Sequence, residues 1–320
     1  MARILVTGGA GFIGAALAAA LAARGDRVLA FDRGDSPTLA RHRARLPGLT
    51  FAPGDITEWP HLAAAFLAHR PEAVVHCAAI VGVVASLASP AATFRVNVEG
   101  ALNVFAASRL FGAHRVINLS TEEIYGPFQA PEIDETHPCA PVAPYGISKF
   151  AIEQLARDEV REHGLPIFHL RTCWVYGPGL PRPRVPKTLL DAALAGRPLH
   201  LAEGGDFRVD HVYIDDLVAG ILGALDAPAP SFDAYHIASG EAPTLGEIAA
   251  ILRALVPGAD LSVGPGNYAF AAGVPVVRKG ALAIARARAD LGYAPRFDIR
   301  AGLAAWIAAR KAGEDQSQAQ

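Results

Sequence analysis

"RILVTGGAGFIG", residues 3–14, decides the fold of this 320-residue chain. An apolar, strand-forming run ends in a cluster of glycines, and an apolar helical pattern opens at Phe12 and Ile13. Gly8, Gly11 and Gly14 are spaced three apart, and Gly9, Gly11 and Gly14 also satisfy G-x-G-x-x-G. A pyrophosphate needs bare backbone N–H groups at a helix N-terminus, and side chains there would block its approach. Asp32 ends the next strand-like run, where an acid accepts hydrogen bonds from the adenosine ribose hydroxyls. The acid repels a 2′-phosphate, which favours NAD over NADP, although Arg33 beside it works the other way. Asp55 and Ile56, after the third run, are candidate adenine contacts, with a simple turn as the alternative reading.

The same rhythm continues outward. Apolar, β-branched runs recur at 27–31, 49–52, 73–77, 115–119 and 167–171, separated by helical stretches at 12–24, 58–69, 90–110 and 145–163. Continuous rather than alternating apolar strands imply a parallel sheet covered on both faces. The expected class is therefore α/β, a doubly wound Rossmann-type sheet whose ligands bind at the carboxyl ends of its strands. After Gly177 the texture changes to the proline- and glycine-rich "GPGLPRPRVP", then to shorter helical pieces at 187–195, 214–226 and 245–255. This predicts a dinucleotide-binding domain with the catalytic residues at 1–177, a smaller mixed substrate-binding region at 178–312 built onto it, and a flexible tail at 313–320.

Composition narrows the partners. An apolar content of 52% implies a well-filled core, and a net charge of -2 gives no reason to expect nucleic acid or an anionic membrane. The three cysteines, Cys77, Cys139 and Cys173, are widely spaced, and Cys77 and Cys173 sit in apolar runs and read as small buried hydrophobes. No CxxC or HExxH occurs, so no metal site is expected. "ALAA" at 20–23 imitates a signal peptide, but the glycine cluster interrupts the apolar stretch, so a cytoplasmic, soluble protein is expected.

"PYGISKF" carries Tyr145 and Lys149, four apart and hence on one helix face. A phenol with a reference pKa near ~10 is a poor base until a neighbouring cation favours phenolate, a part that Lys149 and the nicotinamide would play. Together with "HCAA" at 76–79, "NVEGALNV" at 97–104 and "STEEIYG" at 120–126, these motifs resemble the extended short-chain dehydrogenase/reductases, the NAD-dependent sugar epimerases and dehydratases. The resemblance is specific from residue 2 to about 178 and looser to about 300. It implies NAD as cofactor, Tyr145 as base, Lys149 on the nicotinamide ribose and Thr121 on the substrate hydroxyl. It also implies Gly8, Gly11, Phe12, Ile13, Gly14, Asp32, Asp55, Ile56, Ala78 and Asn97 around the cofactor. A homodimer is expected from helices 90–110 and 145–163, paired as a four-helix interface.

Thr121-Glu122-Glu123 resembles the Thr-Asp-Glu of nucleotide-sugar 4,6-dehydratases. Oxidising a ring hydroxyl acidifies the neighbouring C–H, and a carboxylate can then move that proton or protonate a leaving hydroxyl. On an extended segment Thr121 and Glu123 share a face, which favours Glu123 over Glu122. Two positions depart from the nucleotide-sugar pattern. Trp174 stands where an Asn is usual, and Arg208 sits one residue before the place of a phosphate-binding Arg, before Val209-Asp210. A diphosphate would lack those partners, so a free sugar or sugar acid stays open as ligand. Arg182, Arg184, Lys187 and Arg208 are the remaining cations, expected as solvated loop residues. The reading is thus an NAD-dependent carbohydrate-modifying enzyme that transiently oxidises a sugar hydroxyl to a ketone. The alternatives are a dehydrogenase that releases NADH and, more remotely, a non-catalytic NAD-binding regulator.

Overall fold

A computed structural model describes residues 1–269, 274 and 277–313. The tail expected at 313–320 lies, beyond Gly313, outside the described residues. The main sheet has seven strands: β1 (Arg3–Thr7), β2 (Arg27–Asp32), β3 (Leu49–Pro53), β4 (Ala73–His76), β5 (Arg115–Thr121), β6 (Ile167–Thr172) and β7 (Ala234–Ile237). Their spatial order is β7-β6-β5-β4-β1-β2-β3, and every pairing is parallel. The order reverses between β1 and β4, the place where a doubly wound sheet opens its binding crevice.

Both faces of the sheet are apolar, as the continuous runs require. Ile4, Val6, Val28 and Ala30 pack on one side with Leu17 and Leu21 of α1 (Phe12–Ala23) and Leu217 of the helix Ile214–Asp226. Leu5, Leu29 and Phe31 face the other side with Phe66, with Val104 and Phe105 of α2 (Gly100–Leu110), and with Ile152 of α3 (Pro144–His163). Each of the Val, Leu, Ile and Phe side chains among them, fully buried, contributes roughly 1.5–3 kcal/mol.

The helix expected at 90–110 is divided: Pro90–Phe94 and α2 are joined by a π-helical turn, Arg95–Glu99, in which Asn97 is buried. The strand through Leu119 extends to Thr121 and then stops. Glu122–Tyr125 is a 3-10 turn whose start is capped by the Thr121 hydroxyl, which accepts from the Glu123 N–H at 3.3 Å.

The region after Gly177 returns to the main sheet. It supplies β7, paired with β6 from Ala234 opposite His169 to Ile237 opposite Thr172. It also forms small parallel pairs, His211–Tyr213 with Trp174–Tyr176 just before Gly177 and Leu199–Leu201 with Leu261–Val263, covered by helices including Leu245–Leu255 and Ile299–Lys311. A third pair, Glu132–Ile133 with Ala281–Leu282, ties this region to the loop after β5. Among the described residues no helix is long and apolar enough to cross a membrane.

Candidate active site

The glycine turn lies where β1 enters α1. Gly8 has φ +67°, and a Cβ on Gly14 would fall 2.0 Å from the Gly8 carbonyl oxygen, so strand and helix approach as closely as two backbones can. Asp32 ends β2 with its carboxylate held in place: Oδ2 accepts from the Ala10 N–H at 3.1 Å and Oδ1 from the Arg33 N–H at 2.8 Å. A cleft of about 390 Å³ starts here, lined by Gly8, Gly11, Phe12, Ile13, Gly14, Asp32, Asp55, Ile56 and Ala78, and continues to Thr121, Glu122, Glu123, Tyr145 and Lys149. The bare turn, the fixed acid and the continuous length of this cleft fit an extended dinucleotide lying across the strand ends.

Asn97 is the exception among the expected cofactor residues, since it does not line the cleft. Its amide accepts from the Ile80 N–H at 2.7 Å and donates to the Ile80 carbonyl and to Ser148 Oγ, each at 3.0 Å. With its polar atoms engaged in this way, it holds the loop after β4 against α3.

Three residues on one face of α3 anchor the reacting end. Tyr145 faces the cleft, Lys149 donates to the Leu119 carbonyl at 2.8 Å, and Glu153 accepts from Ser120 Oγ at 2.6 Å. Glu153 also takes Arg171 in a buried ion pair at 2.6 Å. The tip of α3 sits tightly on the glutamate turn, because a Cβ on Gly146 would lie 2.5 Å from the Glu123 carbonyl oxygen.

The tyrosine departs from the expectation that Lys149 lowers its pKa. Burial pushes the phenol up to about 12, against a hydrogen bond with Thr121 and the fields of Arg182 and Arg184. The Lys149 ammonium is itself buried, which brings it down to about 8. Burial outweighs charge here, and the cations that favour phenolate are the two loop arginines.

The glutamates correct the alternation argument. Because the chain turns at Glu122 instead of staying extended, both side chains are directed inward: Glu122 is 1% exposed and Glu123 9%. Neither is a surface feature. Glu122 has no hydrogen-bond partner on either carboxylate oxygen among the described residues, and burial raises it to about 8. Glu123 instead meets Lys279, Oε2 to Nζ at 3.2 Å.

The loop arginines are likewise not simply solvated. Arg182 and Arg184 line the cleft; Arg182 donates to the Val81 carbonyl at 2.8 Å, and Arg184 lies 4.8 Å over the Trp174 ring. Their signal in the sequence was only charge in a loop that follows a strand end. Lys187 is withdrawn into a pair with Asp191 at 2.6 Å, and Arg208 stays outside with Glu247 at 3.7 Å. Asp210, at the position of the usual phosphate pair, is fully buried and accepts from Ser239, Gly240 and Leu282, so it is a structural anchor. Cys77 and Cys173 also border the cleft, and all three cysteines are free. No group of three or more His, Cys, Asp or Glu suited to a metal occurs among the described residues.

Residues 4–238 are matched by the model of the NAD dependent epimerase/dehydratase family. The chain is 29% identical over 324 residues to the dTDP-glucose 4,6-dehydratase of Xanthomonas campestris, covering 95% of this chain and 92% of that enzyme. A crystal structure of a UDP-glucose 4-epimerase from Thermotoga maritima with UDP-glucose superposes with a TM-score of 0.87 at 29% identity, over 97% of this chain and 99% of that one. The Thermus thermophilus UDP-glucose 4-epimerase in complex with NAD gives a TM-score of 0.81 at 27% identity, over 96% and 98%.

Proposed function

The chain belongs to the NAD-dependent epimerase/dehydratase family, enzymes that transiently oxidise a sugar hydroxyl, and from that premise we propose that it removes water from a nucleotide sugar at the ketone stage. The carrying observation is the pair of buried glutamates in unlike surroundings: Glu122 unpartnered and raised to about 8, Glu123 against an ammonium. Two carboxyls whose environments differ in this way are assigned as acid and base. An enzyme that only inverts a hydroxyl has no need of a buried carboxylic acid at this place.

NAD, when bound, supplies a hydride acceptor and later a hydride donor. Gly8, Gly11 and Gly14 would admit its pyrophosphate, Asp32 its adenosine ribose and Lys149 its nicotinamide ribose. Thr121 holds the substrate hydroxyl, and Tyr145 takes that hydroxyl's proton. The resulting ketone acidifies the adjacent C–H. Glu123 removes this proton, the neighbouring C–OH bond breaks, and Glu122 gives its proton to the departing hydroxyl, so water leaves and a C=C bond forms. Glu123 then returns its proton to the carbon it came from as the C=C bond is reduced, and the proton held by Tyr145 passes back to Glu122 through solvent, so the site returns to its starting state.

Arg182 and Arg184 line the same cleft as the glutamates, and they are assigned to the diphosphate of the substrate. They are the charged contribution of residues 178–312 to the substrate-binding surface, beside Trp174 and the residues of the first domain. The apolar residues exposed on the helices at 83–110 and on α3, Val84, Leu87, Phe94, Leu102, Ile147, Leu155 and Val160, are assigned to a homodimer contact. Three free cysteines and a recycled NAD fit a cytoplasmic site of action.

The deciding experiment offers dTDP-glucose, UDP-glucose and UDP-glucuronic acid to the NAD-loaded protein, with product mass and NADH absorbance followed together. Loss of one water from a product with no net NADH is the expected result. An unchanged mass with an inverted hydroxyl would make it an epimerase, and loss of two hydrogens with stoichiometric NADH a dehydrogenase.

A further inference from the structure

Lys279 reaches the glutamates from beyond the end of the family match at residue 238. It sits on a strap stitched to the loop after β5 on both of its sides. Phe128 donates its N–H to the Arg278 carbonyl at 2.9 Å, while Ala281 and Ala283 donate to the Pro131 and Ile133 carbonyls, each at 2.8 Å. Leu282 N–H is bonded to Asp210 Oδ2 at 3.2 Å. So fixed, the Lys279 side chain is fully buried, with Nζ 5.3 Å from the centre of the Phe128 ring and 3.2 Å from Glu123 Oε2. Among the described residues its ammonium has no hydrogen-bond partner besides that ion pair.

Burying an ammonium against one carboxylate is a poor route to stability, and an apolar side chain of equal length would pack there more cheaply. The arrangement makes sense through what lies beside it. Two neighbouring buried carboxyls cannot both ionise easily, and with nothing to distinguish them the retained proton is shared between the pair. A cation placed on one of them breaks that symmetry. The other charges facing the pair are Asp210 and Arg184 on the side of Glu122, and Tyr145 with Arg182 across the cleft. Among the described residues, Lys279 is the cation paired with the Glu123 carboxylate.

We propose that Lys279 is a positioning residue that divides the labour of the two glutamates, keeping Glu123 as the base and leaving the transferable proton on Glu122. The inference rests on the elimination reading above but is tested separately from it. The protonated-carboxyl infrared band assigned to Glu122, by its loss in Glu122→Gln, is titrated in wild type, Lys279→Met and Lys279→Arg. In wild type the band should fade as pH rises through about 8. In Lys279→Met it should persist to a pH higher by roughly 1–3, the usual effect of losing a cation within a few ångströms. Arginine should restore the wild-type curve. Superimposable curves for Lys279→Met and wild type, or an arginine variant that behaves like the methionine one, would overturn the proposal.

Should Lys279→Met fail to fold, Glu123→Gln supplies the second test. Loss of the Glu123 charge lowers Glu122 by itself, so the comparison is with Glu123→Gln/Lys279→Met: with the ammonium present the band should vanish at a lower pH than in that double variant. Equal midpoints in the two overturn the idea equally. In turnover, Lys279→Met should leave hydroxyl oxidation within a few-fold while slowing water loss by about 10²-fold or more. If wild type removes water from none of the nucleotide sugars, the elimination reading falls, and the infrared titration still decides what Lys279 does.

Discussion

Replacing Glu122 by glutamine should stabilise the protein at alkaline pH while disabling its chemistry. Burial raises the Glu122 carboxyl from 4.5 to about 8. Between those values the unfolded chain releases the proton and the folded chain keeps it, so the folded state binds more protons. Stability must therefore fall as pH rises through this window. At about 1.36 kcal/mol per pH unit, the loss due to this one group is roughly 1 kcal/mol at pH 5.5 and about 4–5 kcal/mol at pH 8.5. Glutamine fills the same space without titrating, so the stability gap between variant and wild type should grow by about 3 kcal/mol between the two pH values. An unfolding entropy of about 2.1 cal/mol/K per residue over 320 residues gives roughly 0.7 kcal/mol per degree, so the gap should widen by about 4–5 °C. Thermal melts of both proteins by circular dichroism at pH 5.5 and 8.5 measure it directly. Lys149, lowered to about 8, titrates in both proteins and cancels in the difference. A gap that stays constant with pH would show that Glu122 is ionised in the folded protein, and its role as the acid would go with it.

Tyr145→Phe removes the group proposed to take the hydroxyl proton and should abolish NADH-band formation on substrate addition, whereas Glu122→Gln should still show it and stall before water loss. Asp32→Ala should narrow the preference for NAD over NADP, read as the ratio of dissociation constants, since the acid repels a 2′-phosphate; equal affinities in the unmutated protein would give control to Arg33. Arg171→Met leaves Glu153 buried without its cation, the two side chains being 3% and 0% exposed, and should cost about 3–5 kcal/mol in thermal unfolding. Adding Glu153→Leu to that variant should recover much of the loss. Leu155→Arg on the exposed face of α3 should convert a dimer to monomer in light scattering, and a wild-type monomer at micromolar concentration would dispose of the proposed interface.

What could be read from the sequence alone was whatever depends on neighbours along the chain. The strand–glycine–helix pattern at 3–14, the continuous apolar runs and the four-residue spacing of Tyr145 and Lys149 are local, and they led to the doubly wound sheet, the candidate cofactor cleft and the helix that brings Tyr145 and Lys149 to it. Glu122 and Glu123 were visible as a pair, but their individual roles were not. Those roles depend on where β5 stops, and that in turn depends on Thr121 capping a turn onto which α3 packs at Gly146. Asn97 resembled a cofactor contact because its motif does, yet its amide is spent on Ile80 and Ser148, partners that only the folded chain brings near. Arg182 and Arg184 read as solvated loop charges until the loop closed over Trp174. Lys279 carried no sequence signal at all. A lysine next to an arginine in an unremarkable stretch becomes a buried partner of Glu123 only because the strap that holds it pairs with Glu132–Ile133. Burial and the approach of distant charges set the two carboxyls apart, and both are properties of the tertiary structure.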